Sequence, residues 1–256
     1  MREWNWDSED FAALWYSDAN DRFPRPLNYR SRFTHENDFT THRTEVRAGY
    51  SSDELEEIEL ALHTLSASQL RIEILGGTRK HKSGTGEVKE YRVVGARTYD
   101  HAVVLSQTVL GEQDGPIRVR LFRPESLAAF LVRSIPACAP GAEPQATFHA
   151  DDLRPQQGGH RHSAARCTPY EQYQRLVHRQ ADGGGAAGLL IGPLLHRPEP
   201  AHTVQWYDIT DDGRYTELTG RNISVRPTSP HDLAALFDTW IDRALRQIRD
   251  DEDALW

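Results

Sequence analysis

Histidines, acidic residues and thiols are the groups with which this chain could do chemistry, and their spacing limits what each can do. His160, Arg161 and His162 place two imidazoles two positions apart, so that on an extended strand both would point at one metal ion. The nearest upstream carboxylates, Asp151 and Asp152, match no familiar ligand spacing. The region therefore reads as a solvated loop, with a metal-dependent enzyme using His160 and His162 as the alternative. Asp208, Asp211 and Asp212 could act as acid, base or calcium ligands, but next to Gly213 and Arg214 they make hairpin-turn chemistry. The glycine-rich run 183–188 has the composition of a phosphate cradle. It precedes a strand candidate where a cradle should follow one and open a helix, so it is read as a flexible connection. No GxSxG elbow, HExxH pair, GK[ST] loop or GxGxxG fingerprint occurs, and no catalytic residue, metal or cofactor is assigned.

Two features suit binding better than catalysis. The stretch 78–86 carries Arg79, Lys80, His81 and Lys82, including two of only three lysines, between two strand candidates of an otherwise acidic chain. It reads as a long basic hairpin loop able to meet an acidic or polar partner surface. Trp206 and Tyr207 are neighbours on a strand, so their rings point to opposite faces, and Trp206 is a candidate partner-facing aromatic.

The elements that must position these residues follow from periodicity. Asp7 or Ser8 caps a short helix with Phe11, Leu14 and Trp15 on one face, and the Pro24–Pro26 region stops it as an extended arm. From Ser51, Leu55, Ile58, Leu62 and Leu65 form a helical stripe opposite Glu54, Glu56, Glu57 and Glu59. The period then changes to two. Leu70, Ile72 and Ile74 alternate with Arg71 and Glu73, and further strands are expected at 88–96, 101–109 and 116–122, with a helix starting at Pro124. The 136–167 region lacks a sustained apolar period and reads as a connection. A capping box, Thr168 with Glu171, opens another helix, and strands are expected at 187–191, 203–209, 214–218 and 222–225. Ser229 to Asp232 caps a last helix with Leu233, Phe237, Trp240, Ile241 and Ala244 on one side. The fold expected is α/β of the α+β kind: a central antiparallel sheet flanked by helices, in two pseudo-two-fold halves, 51–135 and 168–248, each helix, four strands, helix.

Composition bounds the function. The 256 residues are 38% hydrophobic with six tryptophans, enough for a packed core. A net charge of -8 without a clustered basic footprint argues against nucleic acid. Cys138 and Cys167 form no dense disulfide framework, which fits the cytoplasm, and no stretch approaches the ~18 apolar residues of a membrane span. The N-terminus, Met1 to Asp7, lacks an apolar signal region.

Several stretches together resemble the EspG family of ESX (type VII) secretion-associated proteins. They are Phe11 to Trp15 with the following Pro24 to Tyr29, the strand-to-helix run from Ile117 to Pro124, Trp206-Tyr207-Asp208 leading to Gly213-Arg214-Tyr215, and the Ser229 to Leu233 helix start. The resemblance covers nearly the whole chain as one domain over 1–256. It implies a non-enzymatic cytosolic chaperone of actinobacterial type that binds the PPE tip of a PE/PPE-like heterodimer and keeps it soluble before export. It also implies that the sheet, a helical subdomain and the loop between early strands form the binding surface. Carried onto this chain, that loop is 77–88, with Arg79, Lys80, His81 and Lys82 as contacts.

Overall fold

The computed structural model describes residues 1–80, 86–153 and 168–254. The chain opens with a strand, β1 (Arg2–Trp6), and Asp7 then caps α1 (Ser8–Trp15) by accepting the Asp10 N–H at 2.8 Å. An irregular arm leads to α2 (Glu36–Ala48) and α3 (Ser52–Ser66), the latter started by a reciprocal Ser51–Glu54 capping box. The meander β2 (Leu70–Thr78), β3 (Lys89–Arg97), β4 (Ala102–Leu110) and β5 (Gln113–Phe122) follows. A 3-10 turn at Pro124–Ser126 leads into α4 (Leu127–Arg133). Past β6 (Ala146–His149) and a 3-10 turn at Ala150–Leu153 comes α5 (Pro169–Val177) with the expected Thr168–Glu171 box. The strands β7 (Ala181–Ile191), β8 (His202–Ile209), β9 (Arg214–Thr219) and β10 (Asn222–Pro227) and the 24-residue α6 (Pro230–Asp253) complete the chain.

All ten strands join one antiparallel sheet in the order β1-β5-β4-β3-β2-β7-β8-β9-β10-β6. On each side of the β2–β7 seam four strands run outward in chain order, and one strand from outside the meander pairs at the edge. The seam is a nine-pair ladder from Leu70 opposite Ile191 to Thr78 opposite Gly183.

Side-chain alternation sorts the core into layers. One face carries Leu70, Ile72, Ile74, Val93, Leu189 and Trp206, and α4 and α6 cover it with Leu131, Leu233, Phe237 and Trp240. On the other face α1 and α3 cover β3 to β5, packing Phe11, Trp15, Ile58 and Leu65 on Val94, Val103, Leu105 and Val119. A smaller cluster on that second face holds Tyr173 and Val177 of α5 against Ile209, Tyr215 and Val225.

Four features differ from the sequence reading. The strand β1 and the helix α2 were not expected, because β1 has only Trp4 and Trp6 as an alternating signal and α2 has no buried residue to show as a stripe. The 136–167 connection contains β6, which is paired to β10 from Asn222–His149 to Val225–Ala146. The glycine run is not a flexible connection but the body of β7. A Cβ on Gly185 would lie 2.5 Å from the Trp206 ring and 2.8 Å from the Tyr91 hydroxyl, and one on Gly76 would lie 2.2 Å from that hydroxyl. These strand positions are glycine because two aromatic side chains lie across them.

Candidate partner-docking site

The β2–β3 hairpin fixes the start of the basic loop. Arg79 donates its backbone N–H to the Asp182 carbonyl at 2.7 Å, and Lys80 donates its own to Thr78 Oγ1 at 3.1 Å. The Lys80 ammonium reaches the Asp182 carboxylate at 2.7 Å, while Thr210 donates its hydroxyl to the same carboxylate at 2.9 Å. These two hydrogen bonds hold the Asp182 carboxyl below its ordinary range, and the bond from Asp182 raises the Lys80 ammonium. Arg79 and Lys80 are both exposed. His81 and Lys82 lie outside the described residues.

Beneath the hairpin is a cleft of about 510 Å³ lined by Lys80, Cys138, Asp182, Asp208, Asp211 and Asp212, among others. Its charges are largely spent on one another. Asp208 accepts two bonds from the buried Arg214 guanidinium, at 2.7 and 2.8 Å, and Asp212 meets Arg179 at 2.6 Å. Burial, followed by the Asp208 charge, pushes the Cys138 thiol up, away from the thiolate that nucleophilic chemistry requires. Asp211, Asp212 and Gly213 make the expected hairpin turn, with Asp211 at φ 58°.

Trp206 does not present its indole to a partner. It is 1% exposed on the helix-covered face, and its Nε1 donates to the Tyr91 hydroxyl at 3.2 Å. Alternation does separate the two rings as expected. Tyr207 lies half-buried on the opposite face, its hydroxyl 3.2 Å from Glu217 Oε2, and burial with the Glu217 charge pushes that phenol up. His160 and His162 lie outside the described residues. Asp151 sits in the 3-10 turn, 3.5 Å from His149 Nδ1. Among the described residues no three His, Cys, Asp or Glu side chains are grouped to hold a metal ion.

The sequence reading missed a strip of open sheet on the second face. Register places Leu75 and Gly77 of β2 beside Ala186 and Gly184 of β7, which face Gln205 and Tyr207 of β8 on one side, with Arg92 and Glu90 of β3 on the other. Leu75 is 52% and the adjoining Val88 43% exposed, and Ala186, Gln205 and Thr203 are exposed as well. Among the described residues no helix lies over this strip, since α3 covers β3 to β5 and α5 packs on Ile209, Tyr215 and Val225. Its small floor residues make it shallow, and the Arg92–Glu90 pair at 2.9 Å and Gln205 give it a polar rim. The only sequence signal was compositional: Gly76-Gly77 and the 183–188 run leave almost no side chain to bury.

The floor spans β3, β2, β7 and β8, about 14 Å at the usual ~4.8 Å between strands. An α-helix with side chains is about 10–12 Å across. The strip therefore has room for one helix across it. No described helix is long and apolar enough to cross a membrane. The model of the EspG family matches residues 8–238. Among curated proteins, none matches the chain at a significant level.

Proposed function

The chain belongs to the EspG family of ESX secretion-associated proteins, and from that premise we propose that it is a cytosolic chaperone, without catalysis, that holds a helical PE/PPE-type client soluble before type VII export. The observation that carries this reading is the open sheet strip around Leu75 and Ala186, one helix wide, running into the basic β2–β3 hairpin. A client helix laid on the strip covers Leu75 and Val88 on this chain and shields its own apolar face, while Arg79 and Lys80 meet its polar surface. A shallow, small-residue floor lets the client backbone approach closely. We also read the chain as one domain in which 51–135 and 168–248 are related by a pseudo-two-fold axis, and the mirrored strand order about the β2–β7 seam supports that.

The test is co-expression with PE/PPE-like pairs encoded in the same genome, purification through a tag on the client, and stoichiometry from size exclusion with light scattering. A stoichiometric complex that is lost in Leu75→Glu, with the variant still folded, supports the proposal. Well-folded proteins that form no complex with any pair would remove it.

A further inference from the structure

Opposite the open strip, the first face of the sheet is uncovered beyond the end of α4. Alternation puts Thr78 of β2, Lys89 of β3, Ser106 and Thr108 of β4 and Arg118 of β5 on that face, because Leu105, Ile117 and Val119 beside them enter the core of the other. The helix α4 sits over Gly95, where a Cβ would lie 2.7 Å from Leu131, and it leaves Thr108 exposed. The hairpin, β4 and the segment after α4 enclose a recess of about 210 Å³ here, lined by Thr78, Lys80, Lys89, Thr108, Ser134 and Pro136 among others.

Most polar groups around the recess are committed. Tyr91 donates its hydroxyl to the Gly184 carbonyl at 2.8 Å and accepts Trp206 Nε1 at 3.2 Å. Ser134 donates its hydroxyl to the Phe130 carbonyl at 2.8 Å. Glu90 pairs with Arg92 at 2.9 Å, and Lys80 pairs with Asp182 at 2.7 Å. Lys89 differs: it is half-buried, and among the described residues its ammonium makes no ion pair or hydrogen bond. The Thr108 hydroxyl is likewise unused among the described residues. Among those residues the recess thus holds one uncompensated positive charge with a free hydroxyl beside it. Small-molecule sites usually measure about 300–1,000 Å³, so this recess admits one functional group of a larger partner and not a whole ligand. One positive charge matches one carboxylate, whereas a phosphoryl group brings about −1.5 to −2.

A second cation in excess lies on the same face. Glu3 is the single carboxylate for two guanidiniums, Arg118 at 3.4 Å and Arg120 at 2.8 Å, and the Arg118 side chain is 51% exposed. Arg118 stands opposite Ser106 of β4, and Lys89 stands opposite Leu110 of the same strand. Four residues along the strands and two strand spacings across them set the Lys89 and Arg118 backbones roughly 16 Å apart, the reach of about five extended residues. The line between them crosses β4 at the small, exposed Thr108.

We propose that Lys89 and Arg118 form a docking site for an extended acidic polypeptide segment. One carboxylate enters the recess to meet Lys89 and Thr108, and another, about five residues along, meets Arg118. The site lies on the face opposite Leu75 and Ala186, so it stays open with a client helix on the strip and suits a second, acidic partner. On a protein with a net charge of -8, two cations held this far apart select for the spacing of acidic residues as well as their sign.

The probe is hexaglutamate, titrated at low salt into the full chain carrying ¹³C-labelled lysine. The chain has only three lysines, Lys80, Lys82 and Lys89, so the Cε–Hε spectrum reports each one separately. The expected result is a saturable shift that is largest at Lys89 and weakens with added salt. The dissociation constant should rise about tenfold in K89Q, the scale of a lost charge-assisted hydrogen bond, and about two- to fivefold in R118Q, the scale of an exposed ion pair. The melting temperature of K89Q should not fall, because no described partner of Lys89 is lost, and L75E should bind the peptide as the unmodified chain does. A Lys89 signal that does not move, or moves less than those of Lys80 and Lys82, would overturn the proposal. So would unchanged binding by K89Q, a marked loss of stability in that variant, or inorganic phosphate or a short single-stranded oligonucleotide binding as tightly as the peptide. No client enters this experiment, so its failure leaves the chaperone reading standing, and failure to isolate a client leaves this result standing.

Discussion

Lys80 enters any partner surface with one bond already made, because its ammonium lies 2.7 Å from the Asp182 carboxylate. Replacing it with glutamate would set two carboxylates together at the base of the hairpin, so K80Q is the cleaner probe of its charge. That variant is expected to weaken client binding about two- to fivefold, the scale of an exposed ion pair, without loss of fold; titration calorimetry checks it. In the same variant the Asp182 carboxyl should move up toward its ordinary value, read by carboxyl NMR. The sign follows from linkage: a carboxyl lowered in the folded state adds stability above its unfolded pKa, and that stability is lost as pH falls through the folded value. Asp208 and Arg214 behave differently, being buried and joined by two bonds. Burial works against the Arg214 charge, yet the Asp208 bonds more than offset it and the guanidinium is raised. Asp208→Ala leaves that cation unpaired and is expected to cost about 3–5 kcal/mol in urea unfolding.

Among the elements, β7 and α2 stand at opposite extremes of tertiary support. The strand β7 is paired on both sides, to β2 and β8, and its glycines are filled over by Trp206 and Tyr91. A branched side chain at Gly185 has no room, and Gly185→Val is expected to destabilise by about 1–3 kcal/mol or more as the indole is displaced, with a shifted tryptophan emission as the direct sign. The helix α2 has no buried residue and rests on α1 and the arm after it, through Phe39 against Tyr16, His42 against Phe33, and the His42–Asp10 contact at 3.1 Å. Its amides should exchange with solvent fastest of the helices longer than ten residues. Phe39→Ala should accelerate that exchange while moving the global melting temperature little. An equal slowdown across α2 and α6 in the wild-type chain would show that α2 is not a separate opening unit.

At the scale of the molecule, the β2–β7 ladder and the core beneath it tie the two halves together, because that core takes residues from β2 to β5, β7, β8, α4 and α6. Unfolding is therefore expected in one cooperative step, with far-ultraviolet circular dichroism and tryptophan fluorescence coinciding in urea. Trp6 and Trp15 report on one cluster and Trp206 and Trp240 on the other, so two separated transitions would show that the two faces of the sheet melt independently.

Much of the fold was legible locally. Period-two alternation marked both meanders, and side-chain caps marked α1, α5 and α6, because each is a rule about residues a few positions apart. The basic hairpin could be read for the same reason: its residues are contiguous. The open strip could not, since it is defined by the absence, among the described residues, of a helix over the second face of β2 and β7, and a stretch of Leu, Gly and Ala signals only small side chains, not a missing neighbour. The sequence alone determined the alternating strands of the two meanders, the caps and the turns, whose causes are local, while only the tertiary structure decided that β1 and β6 pair at the sheet edges, that Trp206 is core, that glycines build a central strand, and which surface stays open, because pairing and burial depend on residues far apart in the chain.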